Sequence, residues 1–221
     1  MKKLFIGVVA LGLSPLAFAN GMAYAPATPL APAFKPSVYV GIQPGYGLTG
    51  WNNWEGLFED SAFSSSSILK VKNHDGFAGR VYAGYDFHPN FAVELGYTNW
   101  FVKPKLQVFG VDTTKASSYP WAIDLVGKIK APVPGVDNLG LYAKAGAAYL
   151  DSELKAIPPS TGKVGGDTFN VVYGVGATYD ITHNIATGLS WTRYNGHKKL
   201  DNKYIPDMDL FAVDLCYKFF F

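Results

Sequence analysis

The chain has 221 residues, room for one β domain or two small ones. Only 16% of them are charged against 48% apolar, yet no apolar run beyond residue 19 is long enough for a membrane-spanning helix. Without Lys2 and Lys3, 17 basic residues stand against 17 acidic ones, so the charge balance gives no support for a nucleic-acid partner, and a lone Cys216 excludes an internal disulfide.

Residues 1–19 read as a secretory signal. Lys2 and Lys3 supply the positive start, Leu4 to Leu13 the apolar stretch, Ser14-Pro15 a helix break and Ala17-Phe18-Ala19 a cleavage site. The alternative, a membrane anchor, needs a longer apolar stretch. Residues 20–36, rich in Ala and Pro, read as an extended segment ahead of a folded part at 37–221.

From there the chain alternates with period two. Val38, Val40, Ile42, Pro44 and Tyr46 oppose Tyr39, Gly41, Gln43, Gly45 and Gly47, and Pro44, lacking an amide donor, predicts a bulge or local mispairing. Thr49 to Asp75 reads as a long loop. Gly76 to Phe101 is a hairpin: Phe77, Val81, Tyr85 and Phe87 share one face, Arg80, Tyr82 and Asp86 the other, and the pattern resumes after His88-Pro89-Asn90. Val102 to Ser118 reads as a polar connection. Trp121–Lys130 and Leu139–Leu150 form a second hairpin around a turn at residues 131–138. Asp151 to Asp167 reads as a loop, and Phe169–Asp180 and Ile185–Tyr194 form a third hairpin around Thr182-His183-Asn184. After a loop at 195–207, Leu210–Phe221 closes the set. Eight strands with strictly alternating long and short connections are the pattern of an all-β, eight-stranded, antiparallel up-and-down transmembrane barrel.

The polarity is inside-out. The non-apolar faces are mostly Gly, Ala and Thr with isolated charges, a poor aqueous surface but a suitable narrow lumen. The apolar faces gather aromatics at their ends. Tyr85, Phe87, Phe91, Tyr179, Phe219 and Phe221 lie by the short turns, and Tyr46, Trp121, Tyr149 and Trp191 by the long loops, as two bilayer interfaces require. Arg193 departs from this, falling on the lipid-facing parity near the upper rim, where its stem lets it snorkel.

Parity sends Arg80, Asp86, Glu94, Asp124, Lys128, Lys130, Lys144, Asp180, Asp214 and Lys218 inward, five of each sign. Buried ions need partners, so the balance predicts a plugged interior rather than a conducting pore. Cys216 reads as a packed thiol facing that interior.

Val38-Tyr39-Val40-Gly41, Glu94-Leu95-Gly96-Tyr97, Lys128 before its turn, and Leu141-Tyr142-Ala143-Lys144-Ala145-Gly146 recur in a particular order. With Tyr179-Asp180-Ile181-Thr182, Ile185-Ala186-Thr187 and the aromatic last strand, they make residues 37–221 resemble the transmembrane domain of the OmpA-like outer-membrane β-barrel family. The resemblance implies the outer membrane of a Gram-negative bacterium, a monomer, and outer-membrane lipid and the barrel assembly machinery as partners. It implies that Tyr217, Phe219 and Phe221 form the assembly signal. It also implies a central ion-pair cluster of Arg80, Glu94 and Lys128. Where the family has an acid in the sixth strand and an arginine in the seventh, this chain has Thr178 and Gly188. The family's peptidoglycan-binding domain is not expected, because the sequence ends at the eighth strand.

Other motifs carry less. Gly45-x-Gly47-x-x-Gly50 fits a dinucleotide fingerprint but precedes a loop rather than a helix. His74-Asp75 with Ser64–Ser67 lacks a nucleophile elbow, and the histidines lack metal-ligand spacing, so no cofactor, metal or catalysis is expected. The expected role is structural and surface-interactive, with host or phage surface ligands as possible partners. Trp51, Trp54, Phe58 and Phe63 form the candidate contact loop. A small solute or ion channel is the alternative, and a lipid-modifying or proteolytic enzyme the third.

Overall fold

The computed structural model describes residues 34–50, 69–72, 75–101, 105–108, 111–115, 117–118, 120–155, 163–199 and 203–221. The segment read as a signal peptide and the loop aromatics Trp51, Trp54, Phe58 and Phe63 lie outside them.

Eight strands build the barrel: β1 (Ser37–Thr49), β2 (Gly76–His88), β3 (Phe91–Trp100), β4 (Trp121–Pro132), β5 (Leu139–Lys155), β6 (Lys163–Asp180), β7 (Ile185–Tyr194) and β8 (Met208–Phe220). Each pairs antiparallel with the next, and β1 pairs with β8 from Ser37↔Phe220 to Thr49↔Met208, so the sheet closes. Closure matters because a lipid-facing strand edge would leave amides and carbonyls without partners.

The alternation of side chains is inverted relative to a soluble protein. Along β4, Ile123, Leu125 and Ile129 point outward with 44, 57 and 59% of their surface exposed, whereas Ala122, Asp124 and Val126 are buried. Valine, isoleucine and aromatics form these strands readily because they pack well on a pleated surface. Here that surface faces outward.

Two of the three short turns share one device. Asn90 and Asn184, each the last residue of its turn, send a side-chain amide to the carbonyl of Lys130 and Lys218 on the adjoining strand, at 3.0 and 2.9 Å. Thr182 accepts the amides of Asn184 and Ile185 through Oγ1, closing the β6–β7 turn locally. In the β4–β5 turn, Gly135 and Asn138 take the left-handed conformation at φ 81° and 65°.

Pro44 acts differently from a bulge. Its pairing with Gly79 is in register. Towards β8 the ladder lapses between Ile42↔Leu215 and Gly45↔Ala212 and resumes unshifted. A missing amide removes a ladder bond without inserting a residue. The one register shift in the β2–β3 hairpin falls between Asp86 and His88.

The stretches read from sequence as irregular loops hold further β structure. Leu69–Lys72, Lys105–Val108 and Val111–Lys115 form a three-stranded sheet, His197–Lys199 pairs with Lys203–Ile205, and Ser117–Ser118 pairs with the end of β5. Strands β5 and β6, at 17 and 18 residues, run well past the roughly 9–11 that span a bilayer. These strands were not expected because they are two to five residues long, and the first pairs with a segment of a different loop.

Candidate functional site

Mid-height in the barrel, β2, β3 and β4 each contribute an inward charge, and the close spacing of eight strands brings these charges together. Arg80 lies at the centre, 1% exposed. Its Nε and Nη2 donate to Asp124 Oδ2 and Oδ1 at 3.1 and 2.6 Å, a bidentate fork. Its Nη1 reaches Gln43 Oε1 at 3.2 Å and Glu94 Oε2 at 3.4 Å. Lys128 Nζ donates to Glu94 Oε1 at 2.9 Å and stands 3.9 Å from the centre of the Tyr142 ring, a cation–π contact. Gly96 lies directly against the guanidinium, leaving no room for a Cβ.

Nearer the short turns, Lys130 Nζ donates to Asp86 Oδ1 at 2.5 Å and Lys218 Nζ to Asp180 Oδ1 at 2.6 Å. Two of the ten inward charges form no direct pair of this kind. Asp214 instead accepts hydrogen bonds from Tyr82 Oη at 2.5 Å and Gln43 Nε2 at 3.1 Å. Lys144 is buried, opposite Lys128 in the β4–β5 register, and its Nζ has no hydrogen-bond partner among the described residues.

Neutral side chains that charge-counting overlooks complete the network. Tyr39 donates to Glu94 at 3.0 Å, and Tyr194 donates to Asp124 at 2.9 Å while sharing a 2.7 Å bond with Thr98. Gln43, Tyr39, Tyr82, Tyr194 and Thr98 all lie on inward parity, the signal that could have found them.

Towards the long loops the lumen turns apolar. Trp100, Leu150, Tyr194, Met208 and Leu210 are fully buried there, joined by Ile205 from the segment that follows β7. The rings of Trp100 and Tyr194 meet edge to face at 5.1 Å, and Trp100 Nε1 donates to the Asp209 carbonyl at 3.4 Å. Sequence reading missed this layer because its members come from five separate segments. Below the charged centre lies a cavity of about 40 Å³, bordered by Tyr82, Lys128, Thr178, Thr187, Asp214 and Cys216. Thr178 and Gly188 are direct cross-strand partners.

Outside, Arg193 donates to Asp209 at 3.2 Å and Asp207 at 3.3 Å, and Trp191 Nε1 donates to Asp209 at 3.0 Å. The cation expected to snorkel to water is instead paired at the upper rim. Tyr217, Phe219 and Phe221 are exposed on the outer face at the short-turn end.

The family model for the OmpA-like transmembrane domain matches residues 35–221, the whole barrel. The chain belongs to that family. An uncharacterised protein of Coxiella burnetii is 28% identical, with 99% of this chain and 100% of that one aligned. Outer membrane protein P5 of Haemophilus influenzae is 26% identical over 99% of this chain and 61% of its own length. The crystal structure of OprG, an outer-membrane protein of Pseudomonas aeruginosa, superposes with a TM-score of 0.57, covering 85% of this chain and 98% of that one at 11% identity. As an OmpA-like barrel, the chain is an outer-membrane protein of the Gram-negative type. Its exposed Val, Leu, Ile and Phe side chains are therefore lipid-facing.

Proposed function

We propose that this OmpA-like barrel is a non-catalytic structural protein of the outer membrane whose lumen is closed and whose outer loops make surface contacts. The observation that supports closure is a double obstruction. The Arg80–Asp124–Glu94–Lys128 cluster lies beneath an apolar layer of Trp100, Leu150, Tyr194, Ile205, Met208 and Leu210, all buried. An ion crossing that layer would lose its water with nothing to replace it. In this reading residues 1–19 are a cleaved export signal, and Tyr217, Phe219 and Phe221 are read by the assembly machinery. The barrel acts as a monomer, and the loop with Trp51, Trp54, Phe58 and Phe63 contacts host or phage ligands.

The purified protein in planar bilayers tests closure: no sustained conductance steps are expected, and large stable open steps would contradict it. A second reading, a small solute or ion channel, draws on the cavity and the unpartnered Lys144. A cavity of about 40 Å³ holds only a few waters.

A further inference from the structure

One side of the lumen is bonded differently from the rest. The Arg80 cluster is built on β2, β3 and β4, whereas β5 and β7 carry a second group of buried polar atoms. The hydroxyls of Tyr142, Ser190 and Thr192 and the Lys144 ammonium have no well-formed hydrogen bond among the described residues. Register sets them in two adjoining rows. Lys144, Gly174 and Thr192 are successive cross-strand partners, and so are Tyr142, Gly176 and Ser190. The glycines in the middle make space for the longer side chains. A Cβ at Gly174 would lie 3.1 Å from Lys144 Cε, and one at Gly176 would meet the Tyr142 hydroxyl at 2.5 Å. Both side chains therefore lean over β6 towards the hydroxyls of β7, and Lys144 leans away from Lys128, its neighbour on β4.

The charges around Lys144 point to what it binds. Arg80 and Lys128 repel its ammonium, while Glu94 and Asp124 attract it. Arg80 and Lys128 already engage both of those acids, so the five groups together carry one positive charge in excess. Asp214 is held by Tyr82 and Gln43 instead. A buried ammonium without a counter-charge is costly. Water would satisfy its N–H groups and leave the charge, whereas an anion answers both needs. We propose that Lys144, with the hydroxyls of Thr192, Ser190 and Tyr142, binds a small monovalent anion of the halide type. Four donors from two rows about 7 Å apart along the strands suit a single-atom ion seated between them once the hydroxyls turn. Access comes from the short-turn end. Thr178, the next inward residue after Gly176, borders the cavity beneath, and so do the partly exposed Lys130 and Lys218. An ion entering there reaches Ser190 and Lys144 without crossing the apolar layer around Trp100, so the site is a dead end and goes beyond the closed-lumen reading without opposing it.

The test uses the full barrel in phosphatidylcholine nanodiscs, with chloride as probe, bromide as competitor and the bulky gluconate anion as control at equal ionic strength. Broadening of the chloride NMR resonance reads binding directly. The barrel is expected to broaden it, bromide to reverse the broadening, and gluconate to leave it unchanged. Lys144→Met is expected to weaken binding about tenfold or more, and Thr192→Val, which keeps the side-chain shape, about threefold. Both should keep heat-modifiable gel migration, the mark of a folded barrel. Lys35→Met, an exposed lysine ahead of β1, should change nothing. No broadening beyond that of empty nanodiscs would overturn the proposal, as would broadening that folded K144M retains or that K35M removes. Should K144M fail to fold, T192V combined with S190A decides, and undiminished binding by that variant overturns the site. Planar-bilayer current is recorded in the same halide solutions. Binding without current supports the site in a closed lumen, whereas binding with sustained current supports the site and overturns closure alone.

Discussion

Replacing Arg80 by methionine keeps most of the side-chain volume and removes the guanidinium from the lumen. Asp124 then loses both arms of its fork, at 3.1 and 2.6 Å, and among the donors described keeps the Tyr194 hydroxyl. Glu94 keeps Lys128 and Tyr39. Removing one partner of a buried pair costs about 3–5 kcal/mol, because the surviving charge is left uncompensated. Replacing both partners by apolar residues avoids that penalty, so R80M/D124L is expected to be less destabilised than R80M, with a coupling of about 2–3 kcal/mol between the sites. Urea unfolding in lipid vesicles, followed by tryptophan fluorescence, reads the difference. With a denaturant slope of about 2 kcal/mol/M, R80M should lower the midpoint by about 2 M, and the double variant should recover roughly half of that. An R80M midpoint unchanged within about 0.3 M would refute the reasoning, as would a double variant no more stable than the single one.

The outer face makes its own predictions. Leu125→Arg places a charge at mid-height on the lipid side and should cost about 2–4 kcal/mol in the same unfolding experiment, whereas Phe77→Arg near the rim should cost about 0–1 kcal/mol. Equal costs at the two depths would contradict the bilayer placement. Phe221→Ser should reduce the amount of folded barrel in the outer membrane of producing cells, scored by heat-modifiable migration, while refolding in detergent proceeds normally. Impaired refolding in detergent would make Phe221 a packing residue instead of a signal.

Period two made the eight barrel strands legible, because a one-residue error would send Arg80, Glu94 and Asp124 into lipid and Leu95 and Leu125 into the lumen. The same parity named the inward charges but not their pairing. Which cation meets which acid depends on the closed register, and Arg80 takes Asp124 from β4 as readily as Glu94 from its own hairpin partner. Of the two faults Pro44 predicts, a bulge or local mispairing, the structure holds the second, and sequence leaves them open because a missing donor and an extra residue look alike there. The apolar layer around Trp100 and Ile205 was invisible for a different reason. Its residues are ordinary in their own strands and meet only across the closed barrel, with Ile205 joining them from the segment after β7. The loop sheet was missed because Leu69–Lys72 finds its partner in a segment beyond the next hairpin.

Nitroxide labels placed one residue at a time along β4 test the inside-out arrangement most directly. Ile123, Leu125 and Ile129 are outward and Ala122 and Val126 inward, so labels in lipid vesicles should alternate in their relaxation by oxygen, which concentrates in hydrocarbon. The outward sites should be strongly relaxed and protected from a water-soluble nickel reagent, and the inward sites weakly relaxed by oxygen. Strong oxygen relaxation at Ala122 and Val126, with nickel reaching Leu125, would contradict the account.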